Sequence, residues 1–199
     1  TCFLSEISLN KNLQNEAREI RYQFFNDLIE ENKLDYILTA HHQNDNHETF
    51  LFNALKGSGI SGLKGIPERN SKILRPLLQF TKNQLLAYVK ENQIKYGTDS
   101  SNSSTKYDRN FLRNEVFQTL ITKFPKFEQG LTNSINFLSA DYSLLNELID
   151  GIIQPQLEET KNYTLIKFKT SIPKKAWFHF FKKFGFNYSQ INNWVESDS

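Results

Sequence analysis

The sequence predicts an α/β fold: a parallel-sheet domain followed by a mainly helical one. Over residues 12–92, helical apolar spacing alternates with short apolar runs in the order helix, strand, helix, strand, helix, the order of a parallel sheet with crossover helices. From Pro125 onward the spacing is helical almost throughout. Between these regimes' first elements, the block HHQNDNHET at 41–49 closes an apolar run and opens a helix. It thereby puts His41, His42, Asp45, His47 and Glu48 at the carboxyl end of a strand, where open α/β sheets bind ligands.

Each element has its own signature. Ala17, Ile20, Phe24, Phe25, Leu28 and Ile29 recur at three- and four-residue steps and predict one amphipathic helix over 12–32. Arg18 and Arg21 lie three apart on its polar side, either as surface charge beside Glu16 and Glu19 or as donors to a phosphate-bearing ligand. Residues 34–40 have the length and apolarity of a buried parallel strand. A helix over 45–56 follows, and glycines at 57, 59, 62 and 65 punctuate its exit; they serve as a C-cap and loop punctuation, or admit close backbone approach to a ligand. Residues 73–78, ILRPLL, read as extended, because the residue before proline avoids the helical region. Thr81 and Gln84 form a capping box for a helix to about Asn92.

A polar loop at 99–104 leads to a helix carrying Arg109, Asn110 and Arg113. The two arginines, four apart, share a face and suit bidentate phosphate binding, or else pair with Asp108 and Glu115. A long stripe from Phe127 through Ile135, Leu148, Ile149 and Ile152 predicts a helix ended or kinked by Pro155. A strand over 164–169, a helix opened by Pro173 and a short last helix over 188–195 complete the chain.

The HHQNDNHET block has a purely structural reading too. Asp45 and Glu48 have the spacing of an N-cap and its N3 partner, and both suit the field of a helix N-terminus. A zinc site using His42 and Asp45 is a further reading, but the HExxH spacing is missing.

Composition narrows the classes. With 38% hydrophobic and 23% charged residues the chain is that of a globular protein. No apolar run approaches the 18 or so residues needed to span a bilayer, and no signal segment opens the sequence. The single cysteine, Cys2, leaves no intrachain disulfide and no CxxC site, which fits a reducing, cytoplasmic setting. The chain starts at Thr1 and contains no methionine, and the expectation is a fragment. Its net charge of +2 is unevenly spread: residues 161–195 hold lysines 161, 167, 169, 174, 175, 182 and 183 without an acidic residue, interleaved with aromatics. That pattern is either a lysine face over an aromatic core or a surface for a polyanion such as RNA; the second is the expectation, with Lys174, Lys175 and Lys182 as candidate contacts.

TAHHQNDNHETFLFNALKGSGISGL, then RPLL, DSSN and YDRNFLRNEV, four blocks in order between residue 14 and about 120, resemble the tRNA(Ile)-lysidine synthase family. The basic helical remainder is similar to that family's tRNA-binding region in position and composition. The resemblance implies a PP-loop, Rossmann-like ATP pyrophosphatase domain over 1–122 and a helical tRNA-binding domain over 123–199. It implies a ligase that joins lysine to carbon 2 of the wobble cytidine of isoleucine tRNA with a CAU anticodon. ATP and Mg2+ are the implied cofactors, free lysine and the tRNA the implied partners, and a homodimer a possible assembly.

Residue by residue, Arg21, His42, Asp45 and Glu48 fall on the family's active-site positions, and Arg109 and Arg113 on its RNxxR block. The resemblance implies Asp45 and Glu48 at the cytosine and the incoming amine, with Arg21 and Arg109 near phosphate. Asn44 stands where the family often has aspartate, and Lys56 where it has arginine. The family's SGGxDS loop, which cradles the ATP pyrophosphate, is absent from this sequence, so the expectation is that this chain alone does not turn over ATP. Competing readings are a non-catalytic tRNA-binding module and another PP-loop enzyme; a thiolase commonly needs paired cysteines, and an amidotransferase a partner domain.

Overall fold

The computed structural model describes residues 13–97, 108–169 and 171–197. In chain order the helices and strands are α1 (Leu13–Glu31), β1 (Ile37–Leu38), α2 (Gln43–Leu55), α3 (Ile60–Leu63), β2 (Arg69–Asn70), β3 (Ile73–Leu74), α4 (Lys82–Glu91), α5 (Asp108–Phe111), α6 (Phe117–Lys123), α7 (Phe127–Ile153), β4 (Leu157–Glu159), β5 (Thr164–Ile166), α8 (Lys174–Phe181) and α9 (Tyr188–Ser197). A π-helical turn, Leu112–Val116, joins α5 to α6. The chain divides into two compact units, Thr1–Thr49 with Ile66–Leu120, and Phe50–Gly65 with Ile121–Ser199. The polar loop expected at 99–104 lies outside the described residues.

In the first unit β1 pairs in parallel with β3, Ile37 opposite Ile73, and β2 pairs antiparallel on the far side of β3. The fold is therefore α/β, as the alternation predicts, but helices dominate and the strands are short. Residues 34–40 were expected as a strand buried on both faces; only Ile37 and Leu38 pair, and Leu38 is 66% exposed. The reason is position: β1 is an edge of the sheet among the described residues, with β3 on one side only.

Helix ends follow local chemistry. Leu34, Ser58 and Ile94 each donate a backbone N–H to the carbonyl five residues back, on Ile29, Asn53 and Val89. The residue before each has positive φ: Lys33, Gly57 and Gln93. This is the Schellman stop, and it assigns Gly57 a C-capping role. Thr81 caps α4 with the full predicted box, its hydroxyl accepting from the Gln84 N–H while the Gln84 side chain accepts from Thr81. Thr81→Ala is expected to cost about 1 kcal/mol, read as a lower denaturation midpoint with an unchanged m-value.

The second unit has an aromatic core. Ile153, Trp177 and Ile191 are fully buried, with Ile149, Ile172, Phe180, Phe181 and Val195 around them. Phe181 stacks on Trp177 at 6.2 Å and Phe168 meets it at 4.7 Å. Most rings between 161 and 195 thus pack inward, where they cannot stack on bases, and the lysines ride on the outside. The stripe expected on α7 is also narrower than its sequence: Ile135 and Ile149 are buried, as is Ile153 just beyond the stripe, while Leu148 and Ile152 are 58% and 47% exposed. Ile149 and Ile153 lie 14 and 18 residues beyond Ile135, close to whole helical turns, so one line of the stripe takes the core contact. Pro155 sits in a 3-10 turn that ends α7.

Candidate active site

The start of α2 is tied down from three directions. The Gln43 N–H donates to the Phe80 carbonyl at 2.9 Å. The Asn44 Oδ1 accepts from the Lys82 N–H at 2.9 Å, and the Asn46 Oδ1 from the Ile66 N–H at 2.7 Å. Both asparagines therefore hold backbone. These ties start the helix two residues before Asp45, which corrects the capping expectation. Asp45 stands at the third helical position and its Oδ2 accepts from the His42 N–H at 2.9 Å, so His42, not Asp45, is the N-cap.

Glu48, expected as the N3 partner of that cap, is a buried acid instead. Its residue is 6% exposed, and Arg113 binds it through both oxygens, Nε to Oε1 at 2.6 Å and Nη2 to Oε2 at 2.8 Å. The same Nη2 lies 3.7 Å from Asp45 Oδ1, and His42 Nδ1 is 3.4 Å from Asp45 Oδ2. His42, Asp45, Glu48 and Arg113 thus form one chain of contacts. The Arg113 guanidinium titrates higher than an ordinary arginine, chiefly through its hydrogen bond to Glu48 against the cost of burial. The face shared by Arg109 and Arg113 assumed α-helical geometry throughout. The π-turn begins at Leu112, changes the angular step, and directs Arg113 to Glu48; its Nε and one Nη are then committed to a carboxylate, not to phosphate.

Two further histidines flank the cluster. The His41 Nδ1 lies 2.9 Å from the Thr39 Oγ1. Burial pushes the His41 imidazole down, Asp45 opposes, and the charges of Arg75, Arg18 and Arg21 push it further down. His47 is 1% exposed, and burial pushes it down to about 4. Its folded value lies below the ordinary 6.5 of an unfolded chain, so the unfolded state binds the extra proton between those values. Stability is expected to be full above about pH 6.5 and to fall as pH drops towards about 4. Denaturant titrations of wild type and His47→Gln across that window should show the slope flattened in the variant.

A second cluster lies outside the sequence expectations. Arg75, of the RPLL block, is 4% exposed and donates Nη1 to the Pro67 carbonyl at 2.8 Å and Nη2 to the Tyr22 hydroxyl at 3.1 Å. Arg18 Nη2 reaches the same hydroxyl at 3.3 Å. An arginine before proline reads locally only as the end of an extended segment; its partner Tyr22 is 53 residues away, which no local pattern carries.

Of the sequence candidates, Arg18, Arg21, His42, Asp45, Glu48, Arg109, Asn110 and Arg113 lie in the first unit and Lys174, Lys175 and Lys182 in the second. Arg21 is exposed on α1, and Arg109 and Asn110 stand on α5. Lys174 pairs with Glu196 at 2.5 Å and Lys182 donates to the Ser61 hydroxyl at 3.3 Å. Lys175 is exposed. Among the described residues no group of three or more His, Cys, Asp or Glu side chains is placed to hold a metal ion, so the zinc reading has no ligand set there. Nor is any described helix long and apolar enough to cross a membrane.

The chain is similar to known proteins over most of its length. A tRNA(Ile)-lysidine synthase of Chlorobaculum tepidum is 40% identical over 148 residues, 74% of this chain and 44% of the relative. One of Porphyromonas gingivalis (strain ATCC BAA-308 / W83) is 35% identical over 180 residues, 88% of this chain and 39% of the relative. One of Haemophilus ducreyi is 34% identical over 179 residues, 86% and 41%. The chain therefore spans less than half the length of these relatives. Among solved structures, the U34-tRNA thiolase NcsA of Methanococcus maripaludis superposes with a TM-score of 0.51 at 18% identity, over 69% of this chain and 47% of that one, a likeness of fold. The sequence profile of the PP-loop domain matches residues 2–120, which takes in α1, the sheet and the whole His42–Asp45–Glu48–Arg113 cluster. This chain belongs to the PP-loop domain family.

Proposed function

We propose that the chain belongs to a tRNA-modifying ligase that forms lysidine at the wobble cytidine of isoleucine tRNA with a CAU anticodon. The observation that carries this reading is the buried Glu48, held bidentately by Arg113 beside Asp45, on a PP-loop chain whose relatives bear that name. In the first step the cytosine O2 attacks the α-phosphorus of ATP; an O–P bond forms, the bond to pyrophosphate breaks, and the base becomes cationic. In the second the lysine amine attacks carbon 2, the C–O bond breaks, AMP leaves, and the nitrogen gives up its proton. The amine must be neutral to attack, so a carboxylate has to hold the ammonium and take its proton. Asp45, a quarter exposed at its side chain, is the accessible acid for that task, with His42 beside it. Glu48 keeps Arg113 in register beside it.

Arg21 and Arg109 serve phosphate in this reading, and Lys174, Lys175 and Lys182 the tRNA backbone. Residues 1–122 act as the catalytic part and 123–199 as the tRNA-binding part. Mg2+ enters only as the phosphates' counter-ion; no described residue is assigned to it and no step runs through it. A cytoplasmic homodimer is the proposed setting.

The test is ATP-dependent incorporation of radiolabelled lysine into isoleucine tRNA by the full-length gene product. Lysine-dependent release of AMP and labelled tRNA are expected. Well-folded protein that binds the tRNA without incorporating lysine would leave a binding module and sink the ligase.

A further inference from the structure

We infer that the open cavity between α1 and β2, lined by Arg18, Glu19, Tyr22 and Asn70, seats the ribose–phosphate backbone of an RNA, with Arg75 as its buried support. The inference rests on the tRNA reading above and names a substrate contact outside the His42–Asp45–Glu48–Arg113 cluster. The cavity has a volume of about 340 Å³.

The Tyr22 hydroxyl links its arginines. That oxygen accepts from two guanidinium groups, Arg18 Nη2 at 3.3 Å and Arg75 Nη2 at 3.1 Å. With its acceptor positions used, the phenol has its own O–H left to donate, and Tyr22 lines the cavity. Arg18 is held against the same ring, its guanidinium carbon 5.0 Å from the centroid. Arg75 is the unusual member. It is 4% exposed, its hydrogen bonds go to two uncharged oxygens, and its Nε is buried without a partner. Among the described residues it makes no ion pair. A buried cation with no anion beside it is costly, and an arriving phosphate next to Tyr22 and Arg18 would offset that cost.

The other wall selects the ligand further. Glu19 repels a bare phosphate but accepts from a ribose hydroxyl, and a 2′-hydroxyl is what separates RNA from DNA at a single position. Asn70 offers both a donor and an acceptor. The form of the site favours a polymer over a free nucleotide: Arg18, Glu19 and Asn70 are exposed, whereas small-ligand pockets enclose most of their ligand. The charges of Arg75, Arg18 and Arg21 are felt at His41, in the turn that carries His42 and Asp45.

The experiment uses the full-length protein and its Arg18→Ala, Tyr22→Phe and Glu19→Ala variants, each checked for folding by its melting curve. Affinity for isoleucine tRNA is measured across a salt series, alongside an anticodon stem-loop in ribose and deoxyribose forms and KM for ATP. Arg18→Ala should weaken tRNA binding about tenfold and lower the log–log salt slope by about 1. Tyr22→Phe should weaken it with the slope kept, and Glu19→Ala should narrow the preference for the ribose stem-loop. Wild-type tRNA affinity in both Arg18→Ala and Tyr22→Phe overturns the inference. So does a raised KM for ATP with tRNA affinity unchanged, which would make the cavity a nucleotide seat. Because these are binding measurements, they read the cavity even in a protein that incorporates no lysine.

Discussion

Asp45→Asn is expected to lower kcat for lysine incorporation by roughly 10²- to 10⁴-fold, the range of a lost general base, with the melting temperature almost unchanged. The two effects separate because Asp45 has two roles. Its Oδ2 accepts from the N-cap N–H of His42 at 2.9 Å, and an asparagine oxygen can make the same bond. What asparagine lacks is the charge to hold an ammonium and the basicity to take its proton. Single-turnover assays with saturating lysine would read the chemical step directly. A fully active Asp45→Asn enzyme would reduce this residue to a helix-start bond and send the catalytic assignment elsewhere in the cluster.

Arg113→Ala is expected to cost about 2–3 kcal/mol. Removing one partner of a buried pair typically costs about 3–5 kcal/mol, because the other charge is left without compensation. Here the Glu48 side chain is 8% exposed but Arg113 is 34% exposed, so solvent screens part of the loss. For a chain of this size that corresponds to a melting temperature lower by roughly 5–10 °C. Arg113→Lys keeps the charge but not the fork that grips both Glu48 oxygens, and should fall between. A double-mutant cycle with Glu48→Ala should show strong coupling, since each single variant strands the other's group. Additive effects, or an Arg113→Ala protein as stable as wild type, would show that Glu48 tolerates its burial unaided.

Much of this was legible in the chain. The helical stripe of α1, the Thr81–Gln84 box, Pro173 opening α8 and Pro155 ending α7 are local signals, each decided within a few residues by spacing or by a missing N–H. The HHQNDNHET block marked the strand-to-helix turn for the same reason. What the chain did not show is which of two chemistries each acid there performs. Asp45 and Glu48 satisfy a capping-box pattern, yet the helix starts two residues early because Phe80 and Lys82, far along the sequence, supply its first bonds. The aromatic-rich basic stretch was divided by packing in a comparable way. Spacing put rings and lysines together, and packing sent Trp177, Phe180 and Phe181 inward and left the lysines outside.

The sequence by itself determined that this is a PP-loop chain of α/β type, the order of its main helices, and which turn gathers its acids and histidines. Capping, β-turn geometry and apolar periodicity are short-range, so a window of a few residues contains their causes. Only the tertiary structure decided that Glu48 is buried against Arg113, that Arg75 is buried on two uncharged oxygens behind Tyr22, and that Asp45 stays accessible. Those outcomes depend on partners 65 and 53 residues apart and on how much water each group loses. Desolvation, unlike spacing, exists only once the chain has closed around it.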